Sequence, residues 1–380
     1  MKNGRGRIVI ILLFALAGLA GLSVYWVPRY FEAAWFLEDI AAGSGDSTWK
    51  TLHKPPVHSA VTWTIEGRTG GGDLYTPAEP AKGRMVFVPG LVENARTDPR
   101  VVAFAETLAR AGFVTLVPEA AAFEDLRAGP SDIVTVTDAA LWLSDADLGP
   151  APKTKIGITA LSYMAGPSII AAARQPLAGR VGFVFFIGGY YEAADVVRFV
   201  TTRKYRLKPG EPWREQPPAD YALWAFLKAN ALSLDNPADR AALTAIAEAR
   251  LKDPAADIAG LTGGLGPDGQ AVFALISNRD PDKVEALIAA LPASMRARFD
   301  ALDPSRQDLS GFEGEALLVH GKDDPLIAST ESEKLAAALG SRAHLYVLEQ
   351  VTHVEVNRPA SMWDQLDLLF AGRRLLSYRD

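Results

Sequence analysis

Six short apolar runs rich in β-branched residues recur along the chain, at about 84–89, 113–118, 154–159, 181–187, 315–320 and 344–348, with helical patterns between most of them. Runs of this length suit buried strands, not core helices. Strands that alternate with helices bury both faces of a sheet, which predicts an α/β protein with a mostly parallel central sheet covered by helices on both sides. Val61-Thr62-Trp63-Thr64-Ile65 alternates like an edge strand. The alternation stops after Ile187-Gly188-Gly189-Tyr190-Tyr191. About 120 residues of helical patterning follow, with breaks such as Lys208-Pro209-Gly210 and Gly263-Gly264-Leu265-Gly266-Pro267. Helices are expected over Ala222–Leu232, Ala238–Leu251 and Lys283–Leu291. The strand pattern resumes at Ala316.

Within this frame one strand leads into chemistry. Ile156-Gly157-Ile158-Thr159-Ala160-Leu161-Ser162-Tyr163-Met164-Ala165-Gly166 reads as strand, serine, helix. Such an elbow lifts a serine hydroxyl above the end of a parallel sheet, and small residues let the two backbones approach. On this segment alone a helix-capping serine is the plainer reading. Against G-x-S-x-G, Ala160 holds the first glycine position and Met164 the second, with Gly166 displaced by two. Further on, Ala316-Leu317-Leu318-Val319-His320-Gly321-Lys322-Asp323-Asp324 is a buried strand running into a turn with two aspartates. His353 follows the strand His344–Leu348 by five residues. The order Ser162, Asp324, His353 is that of a serine–acid–histidine hydrolase with acid and base on loops after strands. Histidine accepts and returns a proton near neutral pH, and the carboxylate orients it and offsets the imidazolium charge. Asp323 competes with Asp324 for that role, and Asp195 is a remote alternative. Met85-Val86-Phe87-Val88-Pro89-Gly90-Leu91 is a strand ending in a tight turn. The amides of Leu91 and Tyr163 are expected to form an oxyanion hole, each donor contributing about 3 kcal/mol. The plainer reading of Pro89-Gly90 is a strand-ending turn. Glu93, Asp98 and Arg100, after that turn, are expected as solvated loop and helix-start charges.

Together these residues resemble the α/β-hydrolase superfamily, over about 60–190 and 312–375. Gly72-Asp73-Leu74-Tyr75-Thr76-Pro77 and Leu108–Pro118, a helix ended by Gly112 and followed by a strand, belong to the likeness. The resemblance implies the α/β-hydrolase fold with a core of 60–190 and 312–380, and a helical cap over 191–311, between the sixth and seventh strands. Its Gly-x-x-Asp turn favours Asp324 over Asp323. It implies cleavage of carboxylic esters through an acyl-enzyme on Ser162, with no metal or organic cofactor. A thioesterase or acyltransferase would use the same triad, and a hydrolase-like protein binding a lipid or a partner is the non-catalytic alternative. Tyr221, Trp224, Phe226 and Phe273 offer rings for a pocket taking the apolar group of a small ester.

Bulk properties bound the rest. A hydrophobic content of 49% and a charged content of 22% describe an ordinary globular protein. A net charge of −6 without a basic stripe argues against a nucleic-acid partner. The absence of cysteine excludes disulfides, thiolate metal sites and a cysteine nucleophile. The five histidines show no metal-ligand spacing. His53 and His58 are expected to be solvated, His344 structural, and His320 a packing or turn residue. Lys2, Arg5 and Arg7 precede an uncharged apolar run from Ile8 to Val27. Twenty helical residues rise about 30 Å, enough to cross the hydrocarbon core. The basic flank predicts the N-terminus inside and the remainder exported, with Tyr25, Trp26 and Tyr30 as an aromatic belt. The expectation is a membrane anchor at 1–28 and a connector at 29–59. The alternative is a signal peptide cut after Ala15-Leu16-Ala17, leaving a secreted protein.

Overall fold

The computed structural model describes residues 27–91, 94–120, 128–149, 155–217, 219, 221–349, 351–353, 355–356 and 361–379. Helix α1 (27–42) and the short α2 (Thr48–Leu52) precede a hairpin of β1 (Val57–Ile65) and β2 (Arg68–Thr76). Then follow β3 (Gly83–Val88), α3 (Pro99–Arg110), β4 (Phe113–Pro118), α4 (Ser131–Asp145), β5 (Ile156–Leu161), α5 (Ala165–Ala173) and β6 (Val181–Ile187). After a long insertion come β9 (Glu315–Gly321), α13 (Thr330–Leu339), β10 (Ala343–Leu348), the two-residue strands β11 (Val351–Thr352) and β12 (Glu355–Val356), and α14 (Met362–Ser377). The six apolar runs expected as strands are strands, with ends shifted by at most two residues, and the edge strand expected over Val61–Ile65 starts four residues earlier, at Val57.

The eight-stranded sheet has the order β1-β2-β4-β3-β5-β6-β9-β10. The six strands from β4 to β10 are parallel, and the β1–β2 hairpin is added antiparallel at one edge. Alternate side chains of each strand serve opposite layers, as the two-residue strand period requires. Val86 and Val88 join α4, α5 and α13 in one core, whereas Met85 and Phe87 join α1, α3 and α14 in the other. The chain leaves β3 for β4 on one side and returns to β5 on the other. The loops after β3 and β5 therefore part, and such a switch point opens a crevice at the carboxyl ends of the strands.

Residues 29–59, expected as a connector, include parts packed onto the core. Ala33, Phe36 and Trp49 are buried among core residues, and buried Asp39 accepts hydrogen bonds from the hydroxyls of Ser47 (2.5 Å) and Thr107 (2.7 Å). Among the described residues no helix is long and apolar enough to cross a membrane. The expected anchor at 1–28 lies outside the described residues except for Val27 and Pro28, which are in α1.

The insertion contains α6 (Ala193–Thr202), the ribbon of β7 (Lys204–Tyr205) and β8 (Arg214–Glu215), α7 (Ala222–Ala231), α8 (Pro237–Lys252), α9 (Ala259–Thr262), α10 (Pro267–Ser277), α11 (Val284–Ala289) and α12 (Ala293–Ala301). It has its own apolar cluster around Phe199, Leu227, Leu243, Ile246 and Leu275. Trp224, Phe226 and Phe273 are partly buried against that cluster, while Tyr221 is exposed. Leu326 and Ala328, just beyond Asp324, belong to the same cluster, so the insertion rests on the acid-bearing loop.

Candidate active site

Ser162 stands at the carboxyl end of β5 with φ of 54°, a left-handed backbone that a non-glycine residue adopts at a cost. A turn of 3₁₀ helix over Ser162–Met164 carries the chain into α5. The turn of β3 approaches closely: a Cβ placed on Gly90 would lie 3.3 Å from that of Ser162. The displaced glycine has a physical reason. Met164 points into the core, fully buried, whereas a Cβ on Gly166 would lie 2.3 Å from the ring of Tyr190. The close approach that demands glycine therefore falls at 166.

Tyr163 is anchored by its side chain. Its hydroxyl donates to Asp132 Oδ2 at 2.8 Å and accepts from the Gly129 amide at 3.1 Å. The ring stacks on Tyr190 at 6.3 Å, and the Tyr190 hydroxyl donates to the Leu302 carbonyl. Burial, reinforced by the Asp132 carboxylate, pushes the Tyr163 phenol well above its ordinary range, so it stays a neutral donor. Leu91 follows Gly90 and is half-buried. Glu93 lies outside the described residues. Asp98 caps α3 by accepting from the Arg100 amide and pairs with the Arg100 guanidinium.

The two residues expected as acid and base meet. His353 Nδ1 lies 2.7 Å from Asp324 Oδ2, and His353 also has a left-handed backbone, with φ of 47°. Asp324 is fully buried, and its Oδ1 accepts from the amides of Leu326 (2.8 Å) and Ile327 (3.0 Å). A second imidazole reaches it: His320 Nε2 lies 3.3 Å from Oδ2 and 2.9 Å from the Ile327 carbonyl. Both of these neighbours accept hydrogen bonds, so Nε2 carries the proton, and in the neutral ring Nδ1 accepts from the Ser332 hydroxyl at 2.6 Å. Burial alone would raise the Asp324 carboxyl, but the hydrogen bonds from His320 and His353 hold it well below the usual carboxylate range. Asp323 is exposed, and Asp195 is paired with Arg198 and Lys334.

Three neighbouring strands, β5, β6 and β9, deliver Ser162, Gly188 and Asp324 to one sheet end, about 4.8 Å apart per strand. Gly188 has φ of 64°, and a Cβ there would lie 3.2 Å from His353 Nδ1 and 3.3 Å from Asp324 Oδ2. The insertion braces the same loop. Gln216 Nε2 donates to the Asp324 carbonyl at 2.9 Å, and the Ala219 amide to that of Pro325. Sequence reasoning missed Gly188, Gln216 and the Asp132 anchor, and it read His320 as a packing or turn residue. The spacing of His320 four residues before Asp324 was the available signal.

Of the other histidines, His58 is exposed as expected, and it lies in β1 with Nε2 2.8 Å from Asp73 and its ring stacked on Tyr75. His53, also expected to be solvated, is instead half-buried. His53 stacks on Trp49, and His344 accepts from Arg374. Among the described residues no group of His, Asp or Glu could hold a metal ion.

No family model matches the chain, and no curated protein matches it in sequence. Solved structures do. A candidate hydrolase from Legionella pneumophila superposes with a TM-score of 0.50 at 13% identity, over 85% of this chain and 88% of that one. The fold is that of the α/β hydrolases. An esterase from Pyrobaculum calidifontis covers 92% of the chain and 88% of its own at 15% identity and a TM-score of 0.44. An α/β hydrolase from a Penicillium species covers 85% and 98% at 14% and 0.45. At these identities the likeness is one of fold.

Proposed function

We propose that this α/β-hydrolase chain is a membrane-anchored serine hydrolase that cleaves carboxylic esters. The observation that carries the reading is the 2.7 Å contact between His353 Nδ1 and buried, ionised Asp324, at the sheet end that also bears Ser162. Asp324 accepts the hydrogen bond of the His353 Nδ1–H, which leaves Nε2 of His353 as the base. Nε2 removes the Ser162 proton as Oγ attacks the ester carbonyl. The amides of Leu91 and Tyr163 receive the developing oxyanion, and the anchored Tyr163 ring keeps its amide from swinging. His353 returns the proton to the leaving alcohol, then activates water to release the acid. The insertion over 191–311 acts as a cap that shapes the acyl or alcohol pocket, and its contacts with the Asp324 loop support that role. The apolar run Ile8–Val27 holds the chain in the membrane, with the hydrolase domain exported.

A fluorophosphonate probe tests the chemistry. The protein labels, Ser162→Ala does not, and that variant loses ester turnover by about 10⁴-fold or more while keeping its fold. A folded wild-type protein that neither labels nor turns over any short ester is a binding module. For the anchor, full-length protein should stay with membranes in high salt, and a mature N-terminus near residue 18 would show a cleaved signal instead.

A further inference from the structure

Surface helices normally turn a charged or polar face to water. α1 and α14 do not. From Val27 to Leu37 the exposed positions of α1 are Val27, Pro28, Phe31, Ala34 and Trp35, and none is charged. Those of α14 are Met362, Trp363, Gln365, Leu366, Phe370 and Ser377, again without charge. Trp363 is 71% exposed and Met362 68%. Among the described residues, seven of the twelve exposed large apolar side chains fall on these two helices. Each set follows the i, i+4, i+8 spacing of one helix stripe, 27-31-35 and 362-366-370. The two helices touch. The Tyr30 ring meets the Phe370 ring edge-on at 6.1 Å, the Arg373 guanidinium lies over Tyr30, and a Cβ on Gly372 would sit 3.3 Å from Leu37. The stripes thus flank one seam and form one apolar face.

We propose that this face lies on the lipid bilayer, so that the hydrolase domain is held flat against the membrane surface and does not swing on its anchor. The inference rests on the anchor reading. The uncharged apolar run of the sequence ends at Val27, which belongs to the exposed stripe. The eight helical steps from Val27 to Trp35 span about 12 Å, so a bilayer that holds the run holds the stripe within reach at high effective concentration. Tryptophan, phenylalanine and leucine, here Trp35, Trp363, Phe31, Phe370 and Leu366, are side chains that settle at the boundary between headgroups and acyl chains. A face without a fully exposed charge predicts contact chiefly through apolar burial, which persists in high salt and does not require anionic lipid.

The chain has no cysteine, so single cysteines report position without background. Full-length Ala34→Cys, Leu366→Cys and Ala255→Cys, the last on the insertion, carry an environment-sensitive dye and are reconstituted with neutral phosphatidylcholine vesicles. Flotation reports the anchor and dye emission reports the face. The expected result is flotation of all three, with blue-shifted emission at 34 and 366 that persists in high salt, and a water-like signal at 255. Flotation with water-like emission at 34 and 366 overturns the face and leaves the anchor standing. Failure to float overturns both. A blue shift that appears without vesicles and grows with protein concentration assigns the face to a second copy of the chain, and the proposal falls. Adding Trp35→Glu and Trp363→Glu to the Ala34→Cys protein should abolish its blue shift without abolishing flotation.

Discussion

Gly188→Ala separates backbone strain from damage to the acid–base pair. Gly188 has φ of 64°, a conformation that costs an L-residue about 1–2 kcal/mol. Gly149, with φ of 66° and nothing within 4 Å of an added Cβ, carries the same φ cost in open surroundings. Both alanine variants should therefore lose about 1–2 kcal/mol in urea unfolding. They should differ in catalysis. A Cβ at Gly188 would lie 3.2 Å from His353 Nδ1 and 3.3 Å from Asp324 Oδ2, tighter than ordinary contact, so the pair must yield by a few tenths of an ångström. A misplacement of about 1 Å costs roughly 10²-fold in rate, so a few tenths should cost about three- to tenfold. The loss should appear in kcat on a chromogenic short-chain ester, with KM little changed, because the ground-state pocket is not touched. Gly149→Ala should keep wild-type kcat. Equal activity in the two folded variants would refute the claim that Gly188 clears space for the pair.

Asp324→Asn should cut turnover by orders of magnitude, about 10⁴-fold in the best-studied triad, while exposed Asp323→Asn changes it little; the reverse ranking in kcat would move the role to Asp323. Because the native Asp324 carboxyl titrates below its unfolded value of about 3.9, its ionised form stabilises the fold above that value, and the contribution is lost as pH falls below it. The urea midpoint of the wild type should therefore drop more steeply below about pH 4 than that of Asp324→Asn, and parallel curves would contradict the assignment. Buried Glu331 accepts the amides of Tyr191 and Glu192 and pairs with Lys334, joining the start of the insertion to α13. Glu331→Ala should cost about 3 kcal/mol by urea unfolding, and a change below about 1 kcal/mol would show that the junction is held elsewhere.

By itself the sequence determined the class of fold and the order of its parts. The strands announce themselves because a parallel sheet covered on both faces needs continuous apolar runs such as Met85–Val88 and Ala316–Val319. The places of Ser162, Asp324 and His353 beyond strand ends were legible because each follows such a run, and a strand end is a local event. What depends on distant chain segments was not legible. The preference for Asp324 over Asp323 leaned on a family turn, and the structure gives the reason: Oδ1 is taken by the amides of its own loop, while Oδ2 faces two imidazoles brought in from β9 and from beyond β10. The glycine at 166 answers to Tyr190, and the one at 188 answers to His353, contacts between segments that no local pattern encodes. The helix after Val27 shows the same limit. Sequence patterning read it as part of a connector, but its burial against α3 and the exposure of its other face exist only once the sheet has placed α14 beside it. Period and composition decide which elements form, and the side chains that touch across them are decided by where the sheet order puts them.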